Sequence, residues 1–312
     1  MLNAEFLDNL DGYIAAKRYR LVNAVLAYEN GALAFERYYN GFNPQSRNAL
    51  KSVWKSILAL TLGICVDRGL VRSVDDSICE YLPQFAKGTD PRHRRITVRH
   101  LLTMSSGIYF NGGVHYHCPT MAQLRFEDDW VSFIADVRMA DAPGARFVYK
   151  EWDVILLSAL IGKACGGCAF DVCDEYLFNP LGMESEPWPK TKCGVSCTVT
   201  FFEKDEDAEL SARDTAKVGL LMLGGGVWDG KQIVSEKFIY ESTRPSQANA
   251  GYGFLWWLTR NGFHGRGFGG QELNVYPAQS IVGVVQATAT PSSKMYGDIF
   301  ESAVDFFDKK NC

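Results

Sequence analysis

Ser52-Val53-Trp54-Lys55-Ser56-Ile57-Leu58-Ala59-Leu60-Thr61-Leu62-Gly63-Ile64-Cys65-Val66-Asp67-Arg68, closed by Gly69, is the stretch around which the rest of the chain arranges itself. It is apolar nearly all round, which is the pattern of a helix enclosed in a core, and a glycine just past the end is a helix stop. The uninterrupted apolar part is too short to span a bilayer. Ser52 and Lys55 stand three residues apart, so on a helix they share a face. A serine hydroxyl is a weak nucleophile and needs a base; a lysine can be that base when burial disfavours its charge. Val53, Trp54, Ile57 and Leu58 would desolvate Lys55, and Lys51 adds a second cation beside the serine. A serine at a helix start also meets unpaired N–H groups and the positive end of the dipole. Chance alone supplies about one Ser-x-x-Lys in a chain of this composition, so it is the placement at a buried helix start that singles this one out.

Working outward, Phe6, Leu7, Leu10, Ile14 and Ala15 have helical spacing over residues 4–17. Residues 21–28 and 32–39 are β-favouring runs split by Glu29-Asn30-Gly31, and Asn-Gly between two such runs predicts a hairpin. From 75 to about 167 the texture is helical, with helices expected over 75–81 (stopped by Pro83), 96–104, 127–139 and 153–164; another follows over 170–177. Beyond 190 strands return at 197–202, 252–259, 267–276 and 281–287. A helix is expected over 211–223 and a last one over 295–307. This order gives an α+β fold, an antiparallel sheet with an α-helical insertion rather than alternating β-α units.

The 312 residues and net charge of −4 describe a globular chain of one large or two ordinary domains, with no basic balance to suggest a nucleic-acid or acidic-membrane partner. Nine cysteines are an odd number. The opening Met1-Leu2-Asn3-Ala4-Glu5-Phe6-Leu7-Asp8 lacks a basic segment before an apolar one, so the expectation is a cytoplasmic protein with reduced thiols. Two further segments can carry chemistry. Tyr149-Lys150-Glu151, at a helix entry, offers a phenol as proton relay or an ordinary packed aromatic. His264-Gly265-Arg266-Gly267-Phe268-Gly269-Gly270-Gln271 reads as opening a strand, and it offers either backbone N–H groups for an oxyanion or a simple glycine bulge. His115-Tyr116-His117-Cys118 has no distant matching pair for zinc. Cys165-Gly166-Gly167-Cys168 lacks the strand context of a redox motif. The run Glu203-Lys204-Asp205-Glu206-Asp207 reads as a solvated loop. Phe42, Tyr109, Trp188, Trp256 and Trp257 are candidates for a pocket lining, with core packing as the ordinary alternative.

These segments fall in a familiar order. Ser52-Val53-Trp54-Lys55-Ser56-Ile57 resembles the nucleophile motif of the class C β-lactamase and penicillin-binding-protein-like serine hydrolases. Similar blocks follow along nearly the whole chain: Ile96-Thr97-Val98-Arg99-His100-Leu101-Leu102-Thr103-Met104-Ser105-Ser106-Gly107, Leu177-Phe178-Asn179-Pro180-Leu181-Gly182-Met183, Ser211-Ala212-Arg213-Asp214 and Tyr252-Gly253-Phe254-Leu255-Trp256-Trp257. The Thr-Met-Ser-Ser-Gly and Gly-Phe-Gly-Gly-Gln patterns look most like the esterase and 6-aminohexanoate-dimer hydrolase branch. The resemblance implies a β-lactamase/transpeptidase-like fold: an antiparallel sheet flanked by the terminal helices, built from 1–65 and 190–312, with a mainly helical lobe over 66–189 and the site in the cleft between. It implies catalysis by Ser52, Lys55 and Tyr149 on a small ester or amide, and an oxyanion hole from the N–H groups of Ser52 and Phe268. Glu151, His264, Arg266, Gly267 and Gly269 are its substrate-binding candidates, and neither metal nor organic cofactor is needed. Two departures stand out. The family's Lys-Thr-Gly falls on Gly265-Arg266-Gly267, without the lysine, and its Tyr-x-Asn falls on Tyr149-Lys150-Glu151, with a carboxylate for the amide. β-Lactam or D-amino-acid peptide cleavage, and a non-catalytic binding role, are the alternatives.

Overall fold

The computed structural model describes residues 1–88, 90–111, 119–198, 207–290 and 292–306. The strands are β1 (Val22–Glu29), β2 (Ala32–Tyr38), β3 (Arg47–Ala49), β4 (Glu209–Ser211), β5 (Val227–Trp228), β6 (Lys231–Gln232), β7 (Trp257–Leu258), β8 (Phe263–Gly267), β9 (Gln271–Tyr276) and β10 (Ile281–Ala287). The helices are α1 (Ala4–Asp8), α2 (Leu10–Lys17), α3 (Val53–Asp67), α4 (Gln84–Lys87), α5 (Val98–Leu102), α6 (Pro119–Leu124), α7 (Trp130–Asp136), α8 (Glu151–Cys165), α9 (Ala169–Cys173), α10 (Ala212–Leu223), α11 (Glu236–Ser242) and α12 (Asp298–Ala303).

Six strands form one antiparallel sheet in the order β2-β1-β10-β9-β8-β7. The first two come from the start of the chain and the other four from its end. The hairpin between β1 and β2 turns at Asn30 and Gly31, whose φ values of 51° and 79° are the left-handed pair a two-residue hairpin needs. Alternation divides the sheet into two faces. Leu273, Val275, Val282 and Val284 join one core with α3, α8 and α10. Val25, Ala27, Ile281 and Val285 join a second core with Leu7, Leu10, Ile299 and Phe300 of the terminal helices. Helix α3 is buried from Val53 through Cys65, as its all-round apolarity requires. It packs on α8, α9 and β8, so α3 lies between the sheet and the helical layer.

Several expectations change. Residues 4–17 form two helices that meet at Asn9. Over 75–81 there is only a short 3-10 turn, Ile78–Glu80, and Pro83 precedes a helix rather than ending one, because proline is tolerated where no N–H partner exists. The run 252–259 yields only β7. The expected strand 267–276 is really the end of β8, a turn, and β9: Gly269 and Gly270 sit at φ 82° and 89°, which no strand accommodates. Cys197 and Thr198 lie outside any strand, and residues 199–202 lie outside the described residues. The last helix is shorter than expected, and Phe307 lies outside the described residues. The described cysteines are free thiols. No single described helix is long and apolar enough to cross a membrane.

Candidate active site

The turn into α3 is held from three sides. The Leu50 N–H donates to the Ala208 carbonyl at 2.8 Å. Lys51 adopts a left-handed φ of 49°, uncommon for a residue with a side chain, and its ammonium pairs with Asp207, which also accepts from Thr198 Oγ1 at 2.6 Å. Asp207 was expected in a solvated run; its carboxylate is instead buried in this pair, while residues 203–206 lie outside the described residues. The third support is β8. A Cβ on Gly267 would stand 2.5 Å from the Leu50 carbonyl oxygen, so only glycine lets the strand end lie against the nucleophile's turn.

Ser52 caps α3 and Lys55 follows one turn later, its Nζ 3.1 Å from Ser52 Oγ. The same Nζ lies 3.1 and 3.0 Å from the two carboxylate oxygens of Glu151, and both side chains are almost wholly inaccessible. The Tyr149 hydroxyl faces the side chains of both Ser52 and Lys55, each of which pulls its pKa down. Burial pushes this phenol above its ordinary range, opposed by the charge of Lys55. Its ring stacks on Trp257 at 5.7 Å, and the Val148 N–H just before it donates to the Met104 carbonyl, fixing the phenol's approach. Ser52, Lys55, Tyr149 and Glu151 therefore come together, from α3 and from the entry to α8.

The next residues along that entry make a second charged pair, which the sequence reading missed. Lys150 and Asp153 are fully buried, with Nζ 3.2 Å from Oδ2. Asp153 also accepts from Ser106 Oγ at 2.5 Å and from the Ser106 N–H at 3.3 Å. Burial raises its carboxyl, while Lys150 and Ser106 pull it back. The pair ties α8 to the Thr-Met-Ser-Ser-Gly turn. Its one signal in the sequence was the i, i+3 spacing of Lys150 and Asp153 at a helix start.

The other predicted residues separate by strand face. Neither the Ser52 nor the Phe268 N–H has a protein acceptor among the described residues, and Phe268 opens the turn that follows Gly267. Gly269 sits in that turn, its Cβ position closed by Ala289 at 2.5 Å. A Cβ on Gly265 would meet Ser56 Oγ at 3.0 Å, so the place of the family's strand lysine is filled from α3. His264 and Arg266 do not join Ser52. Alternation turns them to the opposite face, with Asn274 and Glu272 as their cross-strand partners, toward the terminal helices. Burial and the charge of Arg266 push His264 down to about 3. Among the pocket candidates, Trp257 touches Tyr149, whereas Trp188 and Trp256 are core residues. His115, His117 and Cys118 lie outside the described residues. Among those described, no group of three or more His, Cys, Asp or Glu is placed to hold a metal ion.

Comparison with known proteins agrees with this geometry. Residues 10–191 match the Beta-lactamase family. The 6-aminohexanoate-dimer hydrolase of Paenarthrobacter ureafaciens is 24% identical over 301 residues, spanning 86% of this chain and 73% of that protein. The crystal structure of a penicillin-binding protein from Bacillus halodurans superposes with a TM-score of 0.70 at 18% identity, covering 93% of this chain and 98% of the other. A family VIII carboxylesterase does so with a TM-score of 0.73 at 16% identity, covering 97% and 98%. With the match extending over more than half of its length, the chain belongs to the Beta-lactamase family.

Proposed function

We propose that this protein is a serine hydrolase that cleaves small esters or amides through an acyl-enzyme on Ser52. The observation that carries the reading is the meeting of three groups: Lys55 Nζ 3.1 Å from Ser52 Oγ, with the Tyr149 hydroxyl facing both. A nucleophile within hydrogen-bond reach of its base is the arrangement that covalent acyl transfer needs. Ser52 Oγ attacks the carbonyl carbon. The N–H groups of Ser52 and Phe268 receive the developing oxyanion. Lys55 and Tyr149 take the serine proton and deliver it to the leaving group, and water then releases the acid. A non-catalytic role gives no reason for a buried amine, a phenol and a hydroxyl to converge.

The side chains available beside Ser52 favour simple esters and amides over β-lactams. Gly265 supplies no cation, Arg266 faces away, and Lys51 is already paired with Asp207. The test is intact-mass analysis after a fluorophosphonate, with p-nitrophenyl ester turnover. We expect one adduct, on Ser52, and a loss of about 10³-fold or more in Ser52→Ala. A chromogenic cephalosporin and D-Ala-D-Ala peptides should be poor substrates by comparison. Absence of the adduct together with unchanged turnover in Ser52→Ala would overturn the proposal.

A further inference from the structure

We propose that Glu151 is the proton store of the site: a buried carboxylate that takes the proton of Lys55, so that the lysine meets Ser52 as a neutral amine. The inference rests on the serine-hydrolase reading and adds to it a positioning residue that acts through Lys55.

The argument starts from lone pairs. An ammonium that donates to Ser52 Oγ has none with which to accept the serine proton, so Lys55 must first lose one of its own. The carboxylate in reach is Glu151, its two oxygens 3.0 and 3.1 Å from Nζ. Burying two opposite charges is costly, and transferring the proton between them removes both, which brings the neutral pair close in energy to the charged one. The carboxylate is left free to accept. Among the described residues Lys55 is its one hydrogen-bond donor, and Oε2 makes no well-formed hydrogen bond. Asp153, two residues on, is different: Lys150 and two groups of Ser106 already satisfy it. Among the described residues, groups facing the pair include Tyr149 from the α8 entry, Ser52 from the start of α3 and the buried thiol of Cys197. Lys150 and Lys51 are committed to Asp153 and Asp207.

The protons balance. The resting pair is ammonium and carboxylate. Lys55 passes a proton to Glu151, and its lone pair takes the Ser52 proton as the Oγ–C bond forms and the carbonyl π pair moves onto oxygen. The pair is now an ammonium beside a neutral acid, offsetting the oxyanion. As the bond to the leaving group breaks, Lys55 sends its proton through the Tyr149 hydroxyl to the leaving atom, and Glu151 returns its own to Lys55. One proton has gone from Ser52 to the leaving group. Deacylation repeats the sequence with water in place of Ser52.

The pH–rate profile tests this. With Glu151 present, the acid limb of kcat/KM for a neutral p-nitrophenyl ester marks protonation of the pair as a unit and should lie below the limb of a variant that lacks the carboxylate. In Glu151→Gln the amine must lose its proton to solvent instead. The limb should move up by about one pH unit or more, a loss of several-fold at pH 6 that disappears by pH 9. Glu151→Asp should keep the wild-type limb at reduced kcat. If Glu151→Gln does not fold, Glu151→Asn supplies the same comparison, and the wild-type limb stands without any variant. A wild-type limb in the lysine range, a downward or absent shift in the neutral variants, or an equal loss at every pH would each overturn the inference. Fluorophosphonate labelling of Ser52 separates the two failures: labelled enzyme with the wrong limb sinks only the role of Glu151, whereas unlabelled enzyme sinks the hydrolase reading itself.

Discussion

Two lysine–carboxylate pairs lie side by side at the start of α8, and their surroundings differ. Lys55–Glu151 and Lys150–Asp153 are alike in chemistry, in burial and nearly in distance, 3.0 Å against 3.2 Å. They differ in what else touches the carboxylate. Asp153 is saturated by Ser106, so its charge is spent on holding a loop to a helix. Among the described residues Glu151 has Lys55 as its hydrogen-bond donor, and Lys55 also reaches Ser52 and faces Tyr149. Burial and opposite charge are thus common to both pairs; lone pairs left unspent beside Ser52 belong to one of them.

This contrast can be broken by exchange of partners. Lys55→Met should abolish ester turnover by about 10³–10⁴-fold, the range for losing a general base, in steady-state assays at pH 8. Lys150→Met should act on stability instead. It leaves Asp153 buried without its counter-charge and should cost about 3–5 kcal/mol in urea unfolding, with kcat/KM of the folded enzyme within about tenfold of wild type. If Lys150→Met kills turnover in folded protein, the division between the pairs is wrong. Gly267→Ala comes next in size. It places a methyl against the Leu50 carbonyl and should lower kcat by about 10²-fold by pushing β8 off the nucleophile's turn. The smallest effect on turnover belongs to His264, on the far face of the sheet. Its folded value, near 3, lies below the ordinary 6.5, so the unfolded chain binds the proton more readily between these values. Stability from this group is complete above pH 6.5 and is lost as pH falls toward 3. His264→Phe should flatten that part of the unfolding-versus-pH curve, by up to about 1.4 kcal/mol per pH unit, and leave the pH–rate profile unmoved.

The fold was legible where period and punctuation agree. The all-round apolar run after Ser52 can only be a buried helix, and Asn30-Gly31 between β-favouring runs can only turn back. The pairing of Ser52 with Lys55 followed from helix geometry. What could not be read is what depends on distant backbone. Gly269 and Gly270 look like strand glycines until their φ values are known, and the faces of His264 and Arg266 follow from where β8 begins. The burial of Asp207 depends on Lys51, more than 150 residues away. The Glu151 carboxylate was visible as a departure from Tyr-x-Asn, but its distance to Lys55 joins two helices and has no local signature.

The split origin of the sheet also sets a clock. Ser52 and Lys55 are made early, but Phe268 and the strands that hold it emerge more than two hundred residues later. At ribosomal speeds of about 5–20 residues per second, the interval is on the order of 10–40 s. During that time α3 has no β8 against it, and β1 has no β10 to pair with. The surroundings of Ser52 are thus incomplete until the last strands close the sheet.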